Sequence, residues 1–226
     1  VQALRETILR HGGEIYFETR ITDLEVSGDK ISSVTTLSGE SHPVEALILA
    51  TGHSARDVFE LLHRKHIRLE AKPFALGVRV EHPQELINTI QYHNSEHMAY
   101  LPAASYKLVE QVDKRGVYSF CMCPGGFIVP AATNQNELVV NGMSPSKRDN
   151  QFANSGIVVA VEEEDLKPYK KHGPLAGLEF QKAVEKAVWE AGGKTQQAAA
   201  QRMIDFVKGK ITPQEQLNPT SYIPGL

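Results

Sequence analysis

The feature that most constrains how this chain can fold is a change of pattern near Lys72 and Pro73. Before it, helical and strand-like stretches alternate. After it, short strands follow one another closely, separated by Gly, Pro and charged turns. Alternation points to an α/β piece, whereas closely spaced strands with short turns point to an antiparallel sheet or a partly open barrel. A residue that precedes proline is biased to extended backbone, so the boundary is placed there. Residues 1–72 are expected to form one domain and residues 73–226 a second. The expected class is mixed, α+β with α/β character: a small α/β piece, then a mainly antiparallel β domain with helices at its C-terminal end.

Within the first domain, VQALRETILRHGG reads as a helix with Leu4, Ile8 and Leu9 as its apolar stripe and Gly12-Gly13 as its stop. EIYFET reads as a short strand. The residues on either side of Ser27-Gly28-Asp29 alternate apolar and polar, which is a hairpin signal, and Ser38-Gly39-Glu40 makes the next turn. The apolar run ALILAT, residues 46–51, reads as a central buried strand. GHSARDVFELLHRKH follows as a helix, with Ser54 as N-cap and Val58, Leu61 and Leu62 on the buried face.

In the second domain FALGVRVEH alternates as a strand, and Pro83 opens a helix through HPQELINTIQYH. SYKLVEQV, GVYSFCMC, GFIVPAA, ELVVNGM and GIVVAVEE read as further strands. Residues 174–193 and 198–210 read as helices. In the first of these, Leu178, Ala183 or Val184, Ala187 and Val188 line one stripe.

Composition narrows the partners. A net charge of -3 and the absence of a long basic patch argue against nucleic acid and against an anionic membrane surface. No apolar run approaches the ~20 residues that a membrane-spanning helix needs. Two cysteines cannot staple a chain of 226 residues, so a reducing compartment, the cytoplasm, is expected. Val1 is not Met, the chain opens inside a helix, and NPTSYIPGL closes no element. The chain is therefore expected to be an internal piece of a longer protein.

Chemistry is sparse on spacing alone. His63 and His66 share a helix face, with His53 upstream, but no carboxylate or thiol stands nearby at ligand spacing, so no metal is expected. His11, His82, His93 and His97 are scattered and read as structural. Cys121-Met122-Cys123 is the most pointed feature. On a regular strand, residues two apart face the same side, so both thiols are expected to face one site. A disulfide between them would be strained. Two readings stand: a thiol pair beside a redox centre, or two small apolar residues in a strand.

Taken in order, these stretches resemble a known family. ALRETILRHGGEIYFETRITDLEV, a hairpin and VEALILATGH resemble the middle of flavoproteins with two dinucleotide-binding domains. ATGHSARDVFELL, KPFALGVRVEHPQ, VYSFCMCPGGFIVPAA, NGMS and PLAGLEFQ resemble the uncharacterised family of bacterial FAD-dependent dehydrogenases, distantly similar to flavoproteins of the aminoacetone-oxidase type. Members of that family carry a GxGxxG loop upstream and a glycine-rich flavin-side stretch downstream. The resemblance implies that residues 1–72 are part of an FAD-binding domain and residues 73–226 an inserted domain that covers the flavin ring and shapes a small-molecule pocket.

The resemblance also assigns residues. Ile21 falls where a strand backbone contacts adenine. Ala50, Thr51 and Gly52 fall where the ATG strand turns beneath the cofactor, with His53, Ser54 and Arg56 at its edge. Cys121, Cys123, Gly125 and Gly126 are placed facing the flavin pocket. Tyr106, Lys107 and Arg79 are weaker polar candidates. Cys121, Cys123, His53 and Tyr106 form the catalytic set, and His53 or Tyr106 is the general acid or base. The implied function is an FAD-dependent oxidoreductase, with NAD(P) as a further cofactor left open. The competing reading is a non-catalytic binding domain on a borrowed fold. Lacking the two glycine-rich grips, this chain alone is expected not to retain FAD. Its face around Ile48, Leu49 and Ala50 is expected to be open and covered by a second copy.

Overall fold

The structure is a computed structural model, and it describes residues 1–93 and 100–225. His97 lies outside the described residues. The fold is mixed, α+β, and its sheets are antiparallel. The chain divides into two compact units, Val1–Glu70 and Ala71–Leu226. Among the described residues no helix is long and apolar enough to cross a membrane.

The first unit holds α1 (Gln2–Arg10), β1 (Ile21–Ser27), β2 (Lys30–Thr36), β3 (Ser41–Pro43) and α2 (Arg56–Arg64). The three strands form one antiparallel sheet in the order β1-β2-β3. Ser27 pairs with Lys30, which leaves Gly28-Asp29 as a two-residue loop. Gly28 sits at φ +59, the conformation a two-residue hairpin requires of a first loop residue. The core joins Leu24, Val34, Leu61 and Leu62, with Val58 packed against it, so the apolar face expected of α2 is the one buried.

Three local expectations fail in this unit. EIYFET forms no strand: Tyr16 and Phe17 are exposed and Glu18 takes φ +54, which breaks extended backbone. Residues 46–51 form no ladder either, and Ile48 is 89% exposed. A strand exists only where a neighbour accepts its N–H groups, and among the described residues none lies beside this run. Finally, α2 is capped by Ala55 rather than Ser54, and no side chain closes the cap. The stripe on α1 is exposed.

The second unit contains β4 (Phe74–Pro83), α3 (Gln84–Tyr92), β5 (Val109–Val112), β6 (Arg115–Cys123), β7 (Phe127–Pro130), β8 (Val140–Met143) and β9 (Phe152–Val161). A 3₁₀ stretch, Glu163–Leu175, then leads into α4 (Ala176–Ala191) and α5 (Met203–Val207). The main sheet runs β4-β9-β6-β5, and β7 pairs with β8 in a separate ribbon. Asp113 and Lys114, at φ +48 and +67, form the tight loop between β5 and β6. Arg115 grips Asp165 with both guanidinium ends, at 2.6 and 3.0 Å, which ties β6 to the 3₁₀ stretch.

The helix expected over residues 198–210 shrinks to α5. Ala199 instead bridges to Gly225. The Asp205 carboxylate takes hydrogen bonds from Arg202 Nε and Thr212 Oγ1, both at 2.7 Å, which folds the chain back after one turn.

Candidate functional site

The residues singled out in the sequence divide between the units. Ile21, Ala50, Thr51, Gly52, His53, Ser54 and Arg56 lie in the first. Tyr106, Cys121, Cys123, Gly125 and Gly126 lie in the second.

In the first unit, Ile21 opens β1 opposite Thr36. Ala50, Thr51, Gly52 and His53 form an exposed irregular run that leads into α2. Gly52 sits at φ +77, and a Cβ built there would meet nothing within 4 Å. Its glycine thus answers to backbone conformation, and the backbone is open to a flat group laid against it. Arg20 Nη2 donates to the Asp57 carboxylate at 2.7 Å and holds that carboxyl below its ordinary range. This pair ties the first turn of α2 to the start of β1. Among the described residues no cluster of three or more metal-ligating side chains occurs.

In the second unit, the cysteine strand is not regular. Phe120 pairs with Gly156 but Cys123 pairs with Asn154, so one extra residue bulges out of β6. Cys121 adopts φ +48 to make the bulge. A bulge re-aims side chains. Cys121 is exposed while Cys123 is 6% exposed, so the bulge leaves the two thiols unequally reachable by solvent although their side chains still interact. The Cys123 thiol points its hydrogen at the Cys121 carbonyl, 3.3 Å away, and burial pushes its pKa up.

The Pro124-Gly125-Gly126 turn is closed by the unit's own atoms. Gly125 N–H donates to the buried Gln84 Oε1 at 2.6 Å, and Ser144 Oγ donates to the Pro124 carbonyl. A Cβ on Gly125, at φ +51, would lie 1.9 Å from the Arg148 carbonyl oxygen, and one on Gly126 would lie 2.5 Å from that of Met143. Packing alone therefore accounts for both glycines.

Tyr106 has a partner that the sequence reading set aside. Its hydroxyl lies 2.9 Å from His82 Nε2, and the two rings stand 5.5 Å apart. Burial lowers the His82 pKa and raises that of Tyr106. Tyr106 packs with Met122 against Ile87, Ala104 and Ala153. Ala153 and Asn154 are consecutive on β9 and face opposite sides. Cys123, paired with Asn154, and Tyr106, packed on Ala153, therefore stand on opposite faces of the sheet.

On the cysteine face, Arg79 Nη1 donates to Asn154 Oδ1 at 2.6 Å and to the Cys121 carbonyl at 3.4 Å, and Nη2 donates to Asn141 Oδ1 at 3.3 Å. The alternation of GVRVEH places Arg79 and His82 on opposite faces, a signal legible in the sequence. The roles of Asn141 and Asn154 come only from strand pairing.

The flavin that the resemblance implies needs backbone it can lie against and room for a flat ring. The open run at Thr51 and Gly52 fits the first need. Gly125 and Gly126 offer no such room, since the chain fills it.

Comparison with known proteins adds two findings. Residues 73–226 match the family described as FAD-dependent protein, C-terminal domain-like. A protein of Clostridium beijerinckii, named only as an uncharacterized protein, is 45% identical over 214 residues, covering 94% of this chain and 39% of the relative. The chain thus spans well under half the length of that relative. With most of its length matched, the chain belongs to the FAD-dependent protein, C-terminal domain-like, family.

Proposed function

We propose that this chain is part of an FAD-dependent oxidoreductase, a dehydrogenase that acts on a small molecule in the cytoplasm. The family match over residues 73–226 carries the reading. Bound FAD supplies the hydride chemistry, and the protein supplies binding and orientation. In the first unit the backbone of Ala50, Thr51 and Gly52 backs the cofactor, with Ile21, Ser54 and Arg56 as neighbours. His53, exposed at the end of that run, is the general acid or base on this side. In the second unit Tyr106, hydrogen-bonded to His82, moves or holds a proton, and Cys121 is the thiol that solvent and substrate reach. A reduced nicotinamide, NADH or NADPH, is the hydride source we assign.

The contacts this chain offers FAD are mostly backbone. Each hydrogen bond contributes about 1 kcal/mol net, against an association cost of ~4–15 kcal/mol. The chain alone should therefore bind FAD weakly and purify without colour. Backbone amide resonances should be followed while FAD is added. The expected result is a weak, saturable shift confined to Ile21 and residues 50–56. Unchanged amides there at high FAD concentration would contradict the cofactor contacts.

A further inference from the structure

We infer that Cys121 and Cys123 form a thiol–disulfide exchange site, in which exposed Cys121 attacks a small-molecule disulfide and buried Cys123 completes the exchange through a reversible Cys121–Cys123 bond. The inference needs no bound flavin, so it stands or falls apart from the oxidoreductase reading.

Cys121 is the starting point. It is exposed, and it takes φ +48 at the bulge in β6. Packing explains neither fact. An exposed side chain fills no core, and glycine or asparagine holds that conformation at less cost. A strained backbone position occupied by a nucleophilic residue points to chemistry.

The bulge also changes what the pair can do. On a regular strand the two side chains run side by side, and a bond between them would be strained. At φ +48 Cys121 leaves that alternation. Cys123 Sγ lies 3.3 Å from the Cys121 carbonyl oxygen, so the buried sulfur is folded back over the Cys121 backbone. The two thiols also hydrogen-bond each other.

The surroundings set the order of events. Cys123 is buried, and the Pro124-Gly125-Gly126 turn packs behind it: a Cβ on Gly126 would lie 3.1 Å from Cys123 Cβ. An external disulfide therefore meets Cys121 first, and Cys123 reaches only what Cys121 carries. Burial and the neighbouring Cys121 push the Cys123 pKa up, while the Arg79 guanidinium and the Ser144 hydroxyl favour its thiolate. Arg79 is tied to this spot by its Nη1 bond to the Cys121 carbonyl, at 3.4 Å.

The exchange balances without another reactant. The Cys121 thiolate attacks one sulfur of the small disulfide. That S–S bond breaks, one thiol leaves with a proton, and a mixed disulfide forms on Cys121. The Cys123 thiolate then attacks Cys121 Sγ and releases the second thiol, which takes the second proton. The protein dithiol is oxidised by one electron pair, and the small disulfide is reduced to two thiols. An excess of the small thiol drives both steps backward.

The test uses the full chain without flavin, reduced and freed of reductant, with oxidised glutathione as the probe. Free thiols are then capped with maleimide and the products read by intact and peptide mass. The chain holds no other cysteine, so each product is unambiguous. The unaltered chain should lose two hydrogens and take up neither glutathione nor maleimide, and excess reduced glutathione should return it to the dithiol. Cys123→Ser should stop at the mixed disulfide on Cys121. Cys121→Ser should react at least about tenfold more slowly, because its remaining thiol is buried. In urea the two variants should react alike, since the fold sets the order. An unaltered chain that accumulates the glutathione adduct, joins only to other chains or stays reduced would overturn the site, and that reading needs no variant to fold. Equal reaction rates for native Cys121→Ser and native Cys123→Ser would overturn it as well.

Discussion

Cys121 carries the left-handed conformation at φ +48 that a bulge of this kind ordinarily gives to glycine. Cys121→Gly should therefore change stability by no more than about 1 kcal/mol, since relieved strain and added chain entropy offset each other. Cys121→Val should cost about 1–3 kcal/mol, because a β-branched residue resists positive φ. Urea unfolding of the two variants checks both. The thiols should also separate chemically. Cys121 is exposed, whereas Cys123 is buried with a raised pKa, so iodoacetamide should modify Cys121 first on the native protein, as read by peptide mass. The cysteine pair was legible in the sequence because the residues are adjacent and chemically distinct. Their unequal exposure was not, since a bulge is a property of the pairing between β6 and β9 and not of FCMC itself.

At the same scale, His82 gives a pH dependence with a definite sign. Burial holds its folded pKa below the ordinary value of about 6.5. The unfolded chain therefore binds its proton first as pH falls. Stability from this group is complete above about pH 6.5 and is lost as pH drops toward the folded pKa, below which the loss levels off. His82→Gln should flatten that part of the stability profile, measured by urea unfolding from neutral pH downward. An unchanged slope would remove His82 as its source.

Among elements, the tight turns were the most legible features. Gly28 lies where turn chemistry puts it, with β1 and β2 on either side, whereas the β5–β6 loop falls at Asp113-Lys114 and leaves Arg115 and Gly116 inside β6. The runs EIYFET and ALILAT were misread because an apolar run says that a segment is to be covered but not which neighbour will pair with it. The helix over residues 198–210 was overextended because the Asp205–Thr212 contact that turns the chain back spans seven positions with no periodic signal. The Pro124-Gly125-Gly126 turn tests how firmly one element is set. Gly125→Ala combines a positive φ with a clash at the Arg148 carbonyl and should destabilise the second unit by about 2–5 kcal/mol, seen in thermal unfolding.

For the whole molecule, the two units differ in how much core they hold. Val1–Glu70 has a buried cluster of only Leu24, Val34, Leu61 and Leu62. A core of that size rarely supplies more than about 3–5 kcal/mol. Leu24, 2% exposed, should cost about 2–5 kcal/mol when cut to Ala, which is comparable to the whole stability of its unit. Leu24→Ala should therefore open residues 21–36 and 56–64 to hydrogen exchange while β4, β6 and β9 stay protected. Equal loss of protection in both units would show that they fold as one.

The central claim, an FAD-dependent oxidoreductase, is tested most directly on the longer Clostridium beijerinckii relative, of which this chain covers 39%. That protein should be purified and its visible spectrum recorded, then recorded again after NADH or NADPH is added without oxygen. The account predicts a yellow protein that releases FAD on denaturation at near-stoichiometric yield and loses its flavin band when the reductant is added. A colourless preparation that neither takes up FAD nor changes with either nicotinamide would contradict it.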